Sequence, residues 1–165
     1  MKLFRKSTVT ALALAVTLLA GTAHADDAPV PNEPFKLTLP SSYGAFTKQQ
    51  QTSKSPEGDI ETTNWIAKAP TGEAVIVTMS KMPAKIADEE KLAASTRESL
   101  LKSLGATVEA EAPGSLLFRS SAAVFRARFT VVEDRFYQLL YVGRSDEQRN
   151  AAEVAQLFES FAIAQ

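Results

Sequence analysis

The chain has 165 residues, with 18 Lys+Arg against 19 Asp+Glu, one histidine and no cysteine. Three of the basic residues (Lys2, Arg5, Lys6) and the histidine, His24, lie within residues 1–25, which leaves 15 basic against 19 acidic groups, a net −4, over the rest. Beyond residue 25 this composition excludes disulfides, thiol nucleophiles, Cys- or His-ligated metal and any Ser-His-Asp triad, and an acidic chain without a basic stripe is ill suited to nucleic acid.

Residues 1–25 have the three parts of a cleavable secretory signal. Lys2, Arg5 and Lys6 form a positive start, Thr10 to Ala20 a short apolar run, and Ala23-His24-Ala25 an A-x-A site with cleavage expected before Asp26. The apolar run falls short of the about 20 residues that span a bilayer, and no cysteine follows it to carry a lipid. A periplasmic or secreted protein without a stable membrane anchor is expected. Asp26 to Pro34, with three prolines, reads as a flexible lead-in. About 140 residues can bury roughly two-thirds of their unfolded surface, enough for one core, so residues 35–165 are expected to form one domain.

In chain order, Phe35-Lys36-Leu37-Thr38-Leu39 alternates apolar and polar and stops at Pro40, the pattern of a strand with one buried face. Phe46 to Thr52 is a candidate polar strand. Ile60 to Ala69 and Ala74 to Met79 are β-rich and flank Pro70-Thr71-Gly72, which predicts a hairpin. Asp88 to Leu104 predicts a helix: Asp88 is a fitting N-cap, Glu89 and Glu90 suit the positive helix end, Leu92, Thr96, Leu100 and Leu104 line one stripe with Leu101 beside them, and Gly105 stops it. Thr107 to Ala112 and Ser115 to Ser120 are short candidate strands.

Val124 to Val132 alternates cleanly, and Arg135 to Val142 follows after only Glu133-Asp134, so a two-residue turn makes an antiparallel hairpin. Counting back from that turn places Val132 opposite Arg135, Thr130 opposite Tyr137, Arg128 opposite Leu139 and Arg126 opposite Tyr141. Phe125, Ala127, Phe129 and Val131 then meet Phe136, Gln138, Leu140 and Val142 on the other face, the expected main core. Ser145 to Phe161 predicts a last helix that starts on a capping-box spacing, Ser145 and Gln148, with Ala151, Val154, Ala155, Phe158 and Phe161 as its apolar stripe. Strands, helix, strands, helix is an α+β order, with helices packed on a mostly antiparallel sheet.

Four segments resemble the PsbP-like (DUF1795) group, which has the Mog-type fold. They are the opening Phe35-Lys36-Leu37-Thr38-Leu39-Pro40, the strand pair around Pro70-Thr71-Gly72 followed by a helix, the late strand Arg135 to Gly143, and the closing helix with Phe158-Glu159-Ser160-Phe161. The likeness is an ordering of elements over nearly the whole chain beyond the signal. It implies an antiparallel sheet of about six strands flanked by helices, an α/β/α sandwich. It also implies a role in binding partners or assisting assembly, with no shared catalytic residue. The chain departs from the group at Arg119 to Ala123, where a glycine-containing turn is usual.

Two constellations that resemble catalytic or metal motifs do not stand up. Ser99-Leu100-Leu101-Lys102 has the S-x-x-K spacing of penicillin-recognising enzymes, but their second Ser/Asn element and K-T-G strand are missing. The acidic pairs and triplets at Asp26, Asp88, Glu133 and Asp146 lack calcium-loop spacing and fall at helix starts, a turn and the lead-in. The group of interest is Arg126, Arg128, Tyr137 and Tyr141 on the last hairpin. Arg and Tyr anchor interfaces, so this face is a candidate partner-binding surface; the plainer reading is a wet sheet face. The expected function is thus a non-enzymatic, cofactor-free binding or assembly-assisting domain of the bacterial envelope, its partner an unknown envelope protein or small ligand. The alternative is a small-molecule carrier with a pocket between sheet and helices, and a weaker one is a carboxylate-based hydrolase.

Overall fold

The computed structural model describes residues 33–112 and 114–164. Nine strands and three helices follow in the order β1 (Phe35–Lys36), β2 (Thr47–Ser55), β3 (Gly58–Lys68), β4 (Ala74–Lys81), α1 (Glu89–Leu104), β5 (Thr107–Ala112), β6 (Ser115–Arg119), β7 (Val124–Val132), β8 (Arg135–Gly143), α2 (Asp146–Arg149), α3 (Ala152–Ser160) and β9 (Ala162–Ile163). Strands β2 to β8 form one sheet in the order β2-β3-β4-β8-β7-β6-β5, with every neighbouring pair antiparallel. The domain is therefore α+β on a mostly antiparallel sheet. Seven strands replace the about six expected, because the polar 47–55 segment and the short 107–112 segment both complete the ladder at its edges.

The last hairpin has the register read from its turn: Val132 opposes Arg135, Thr130 opposes Tyr137, Arg128 opposes Leu139 and Arg126 opposes Tyr141. Glu133 bends it with a φ of 57°. The turn after β6 closes without glycine, through a Ser120 N–H donating to the Ala123 carbonyl at 2.9 Å. At the other end of the pattern, α1 follows its expected signals. The Asp88 carboxylate accepts from the Lys91 N–H, and Gly105 takes the left-handed conformation at φ 57° as C-cap.

Directly opposed residues share a sheet face, and both faces are covered. On one, Trp65, Val75, Val77, Leu139 and Tyr141 pack with Val154, Leu157 and Phe158 of α3 and with Phe35, Leu37 and Phe161. On the other, Ile76, Leu116, Phe118, Phe125, Ala127 and Leu140 pack with Leu100, Leu101 and Leu104 of α1. The expected core face is present, but it is one of two.

The first strand and the last helix depart from expectation in detail. The alternation of residues 35–39 does put Phe35 and Leu37 inside, yet only Phe35–Lys36 forms a strand, and it pairs with β9 in a separate two-stranded sheet. Beyond it the Thr38 N–H turns to the Ser160 hydroxyl at 3.0 Å. The single helix expected over 145–161 is two, broken where Ala151 adopts an extended ψ of 145°. The break lets two segments satisfy different neighbours: α2 turns the buried Arg149 to the part-exposed carboxylates of Glu109 and Asp146, while α3 lays Val154, Leu157 and Phe158 on the sheet.

Candidate functional site

The Arg126, Arg128, Tyr137 and Tyr141 group is brought together on one face, as its register dictates, but that face is not open. Tyr137 and Tyr141 are 0% and 1% exposed. The reason is α3, which the sequence pattern left unplaced: it lies across this face, its Phe158 ring 4.5 Å from the Arg126 guanidinium carbon and its Phe158 carbonyl accepting from Arg128 Nη1 at 3.1 Å. Burial pulls the Arg126 guanidinium below its usual range, opposed by the Glu159 carboxylate. These two half-buried arginines contact the helix laid across the sheet, and the two tyrosines of the Arg/Tyr group lie beneath it. Ala23, Ala25 and Asp26 of the expected cleavage site lie outside the described residues.

One member of that group, Tyr141, reaches a cleft at the end of the layer. A cavity of about 270 Å³ opens between the Pro40–Tyr43 turn, the hairpin turn that ends at Glu73, strand β8 and the α2–α3 corner. Its walls carry two phenols, Tyr43 and Tyr141, and three carboxylates, Glu73, Glu147 and Glu153, over a floor of Pro40, Ala151, Val154 and Leu157. Local hydrogen bonds build each wall. The Tyr43 N–H donates to the Pro40 carbonyl at 3.0 Å, the Gly44 N–H to the Lys68 carbonyl at 3.0 Å, and the Ala69 N–H to the Glu73 carbonyl at 2.9 Å. The Thr71 hydroxyl donates to one oxygen of the Glu73 carboxylate.

Tyr141 owes its position to Gly143, two residues on along the same face. A Cβ at Gly143 would lie 2.8 Å from the Tyr141 hydroxyl and 2.9 Å from its Cε1, so the phenol lies in the space a larger side chain would fill. Burial, with the Glu73 carboxylate second, pushes the Tyr141 phenol up to about 12. Burial pushes Tyr43 up further, and Tyr141, Glu73 and Glu153 add to it. Both phenols are therefore neutral hydroxyls at physiological pH, able to donate and accept, beside negative charge.

A second polar cluster sits at the far edge. Glu109 is the extra residue where the β5–β6 register shifts between Val108 and Ala110, and the bulge turns its carboxylate to both Arg119 (2.6 Å) and Arg149 (2.5 Å). Asp146 closes the square, at 2.5 Å from Arg119 and 2.7 Å from Arg149. Hydrogen bonds from Arg119 and then Arg149 hold the Glu109 carboxyl below its ordinary range. Every charge here is paired, so the cluster tethers α2 to the sheet edge and leaves nothing for a ligand.

Among the described residues, no group of acidic or metal-ligating side chains is gathered closely enough to hold a metal ion, and no helix is long and apolar enough to cross a membrane. Sequence reasoning missed Tyr43, Glu73, Glu147 and Glu153. The available signal was Tyr43 itself, an aromatic among the small residues that follow Pro40. Of the glutamates, Glu147 read as a helix-start residue, Glu153 fell inside the single expected helix and Glu73 carried no signal, and their convergence is a product of tertiary packing. No protein-family model matches the chain, and no curated protein matches it by sequence.

Proposed function

We propose that the chain is an exported, non-enzymatic binding domain of the bacterial cell envelope, PsbP-like in its layering, that uses the Tyr43–Tyr141 cleft to hold a group from a partner or ligand. The observation that carries this reading is the convergence of two nine-tenths-buried phenols on one cleft with three carboxylates. Both phenols line the cleft, and sites that bind small groups pair an apolar floor with a few converging polar atoms. Helices packed on both faces of an antiparallel sheet agree with the sandwich that the sequence resemblance implies. The absence of His and Cys beyond residue 25 agrees with holding rather than turnover.

The place of the cleft, between sheet and helices, also favours the carrier reading, in which the occupant is a free small molecule. One experiment addresses both. A photo-crosslinking amino acid at exposed Ser42, on the cleft rim, is compared with one at Glu98 on α1 over the opposite face. The chain is expressed with its full N-terminus in a bacterial host, and native mass spectrometry follows. The binding reading expects a discrete protein adduct at Ser42 alone. A small co-purifying mass instead supports the carrier. Identical products from both positions refute a site at the cleft.

A further inference from the structure

We propose that the Tyr43–Tyr141 cleft takes an alkylammonium cation, the charged end seated by Glu73 and the two phenol oxygens and the methylene stem on the apolar floor. The inference rests on the reading of the cleft as the binding site and adds the chemistry of its occupant.

The sign of the charge comes first. Three carboxylates line the cleft and no cationic side chain does. The Arg144 guanidinium packs against Gly72 in the adjoining turn, where a Cβ would come within 2.7 Å of it. The start of α3 also faces this corner and is worth at most about half a positive charge. It offsets part of one carboxylate, and Arg144 at most a second, so the cleft keeps a negative excess. An anion would meet that excess directly.

The partition of roles comes second. Glu147 and Glu153 lie in the first turns of α2 and α3, where the helix end already accounts for them. Glu73 has no such reason. It sits at the mouth of a hairpin, with one carboxylate oxygen held by the Thr71 hydroxyl and the other free of any hydrogen bond among the described residues. The Tyr141 phenol beside it is 99% buried, in space that Gly143 leaves open. A neutral phenol oxygen can accept from an ammonium while its proton turns to a carboxylate.

Size and shape come third. About 270 Å³ is below the roughly 300–1,000 Å³ of sites for drug-sized molecules, and suits one side-chain-sized group. The carboxylates come from three separate segments and do not gather around a metal ion. That arrangement matches a compact ammonium with rotatable donors better than a planar guanidinium, which wants one carboxylate fork. Pro40, Val154 and Leu157 supply the surface along which a four- or five-carbon stem lies, in the way lysine stems cover apolar ground.

The shared chemistry has two sources, a lysine side chain of a protein and a free polyamine. The test is calorimetric titration of the purified chain with 1,5-diaminopentane, with N-acetyl-lysine N-methylamide, and with glutarate as the anionic control, at two salt concentrations. The expected result is saturable binding of one or both amines that weakens with salt, and no binding of glutarate. Glu73→Gln, which keeps an acceptor for the Thr71 hydroxyl, weakens amine binding at least about tenfold, the loss of one charge-assisted hydrogen bond. Tyr141→Phe weakens it without changing the charge, and Glu98→Gln on the opposite face leaves it unchanged. Preference for the diamine identifies a free amine, and preference for the lysine amide a protein side chain. No saturable heat with either amine, equal binding of glutarate, or an unaltered Glu73→Gln variant overturns the cation assignment. If a specific Ser42 adduct persists in that case, the cleft remains the site and only the occupant is wrong. If the Ser42 adduct also fails, both readings fall.

Discussion

Gly143→Ala offers the sharpest check on how the cleft is built. Gly143 does not lie in the left-handed region, so alanine is compatible with its backbone. What alanine meets is the Tyr141 ring, with the new methyl 2.8 Å from the hydroxyl, 2.9 Å from Cε1 and 3.1 Å from Cζ. Carbon–carbon contacts settle near 3.5–4.0 Å, so either the ring or the strand must give by more than half an ångström. The ring is only 1% exposed, so it can yield only toward the cleft it lines or by disturbing the packed layer around it. Overpacking of this kind costs about 1–3 kcal/mol. Replacing glycine with alanine returns about 0.4–1 kcal/mol by stiffening the unfolded chain. The net expectation is a loss of about 1–2 kcal/mol, close to a tenfold fall in the folded-to-unfolded ratio. Urea denaturation followed by Trp65 fluorescence reads it as a lower midpoint at constant slope. In a Tyr141→Leu background the same substitution has no ring to strike and becomes neutral or slightly stabilising. A Gly143→Ala chain as stable as the parent, or an equal loss in both backgrounds, refutes the placement of Tyr141.

Other consequences are as direct. Phe35 stands edge-on to Trp65 at 5.0 Å and is 1% exposed, so Phe35→Ala costs about 3–5 kcal/mol, measured by the same denaturation, and leaves the sole tryptophan open to iodide quenching. The Glu109 carboxyl is held low by Arg119 and Arg149; its contribution is complete above the unfolded value of about 4.3 and fades as pH falls through the folded one. Glu109→Gln therefore lowers the thermal midpoint at pH 7 and flattens its decline as pH falls below about 4.3. The phenols run the other way. Tyr141 is raised to about 12 and Tyr43 further, so the stability they lend is complete below about pH 10 and is lost as pH climbs through the folded values. Absorbance at 295 nm is expected to show neither ionising before about pH 11 while the chain stays folded, and a sub-stoichiometric early phase that vanishes in Tyr43→Phe would contradict that.

The legible parts of this fold are those written in local chemistry. The hairpin register follows from a two-residue turn and strict alternation, and the α1 ends follow from Asp88 and Gly105, because each signal lies within a few residues of its effect. The fate of the Arg126 and Tyr141 side was not legible, because alternation reveals that a strand has two faces but not what a distant helix will do to the second. Alternating Arg and Thr on β7 read as a wet surface, yet long guanidinium stems allow Arg126 and Arg128 to live beneath Phe158. The break at Ala151 was hidden for a similar reason: an apolar stripe over 151–161 is compatible with one helix from Ser145, and the distant contacts made by α2, Arg149 with Glu109 among them, leave no local mark. The cleft was the least legible of all, since it joins residue 43 to residues 73, 141 and 153 through the packing of four elements.

The double hold on Phe158 has a further implication for how the chain reaches its native state. Its ring lies under Arg126 and its carbonyl is bound by Arg128, two residues apart on one strand. A slip of β7 by a single position would turn both guanidinium groups to the opposite side of the sheet. The nine-residue α3, with no side-chain cap at Ala151, would then lose its moorings together, and a helix that short does not persist alone. The mooring of the last helix is thus tied to the correct alignment of the central hairpin.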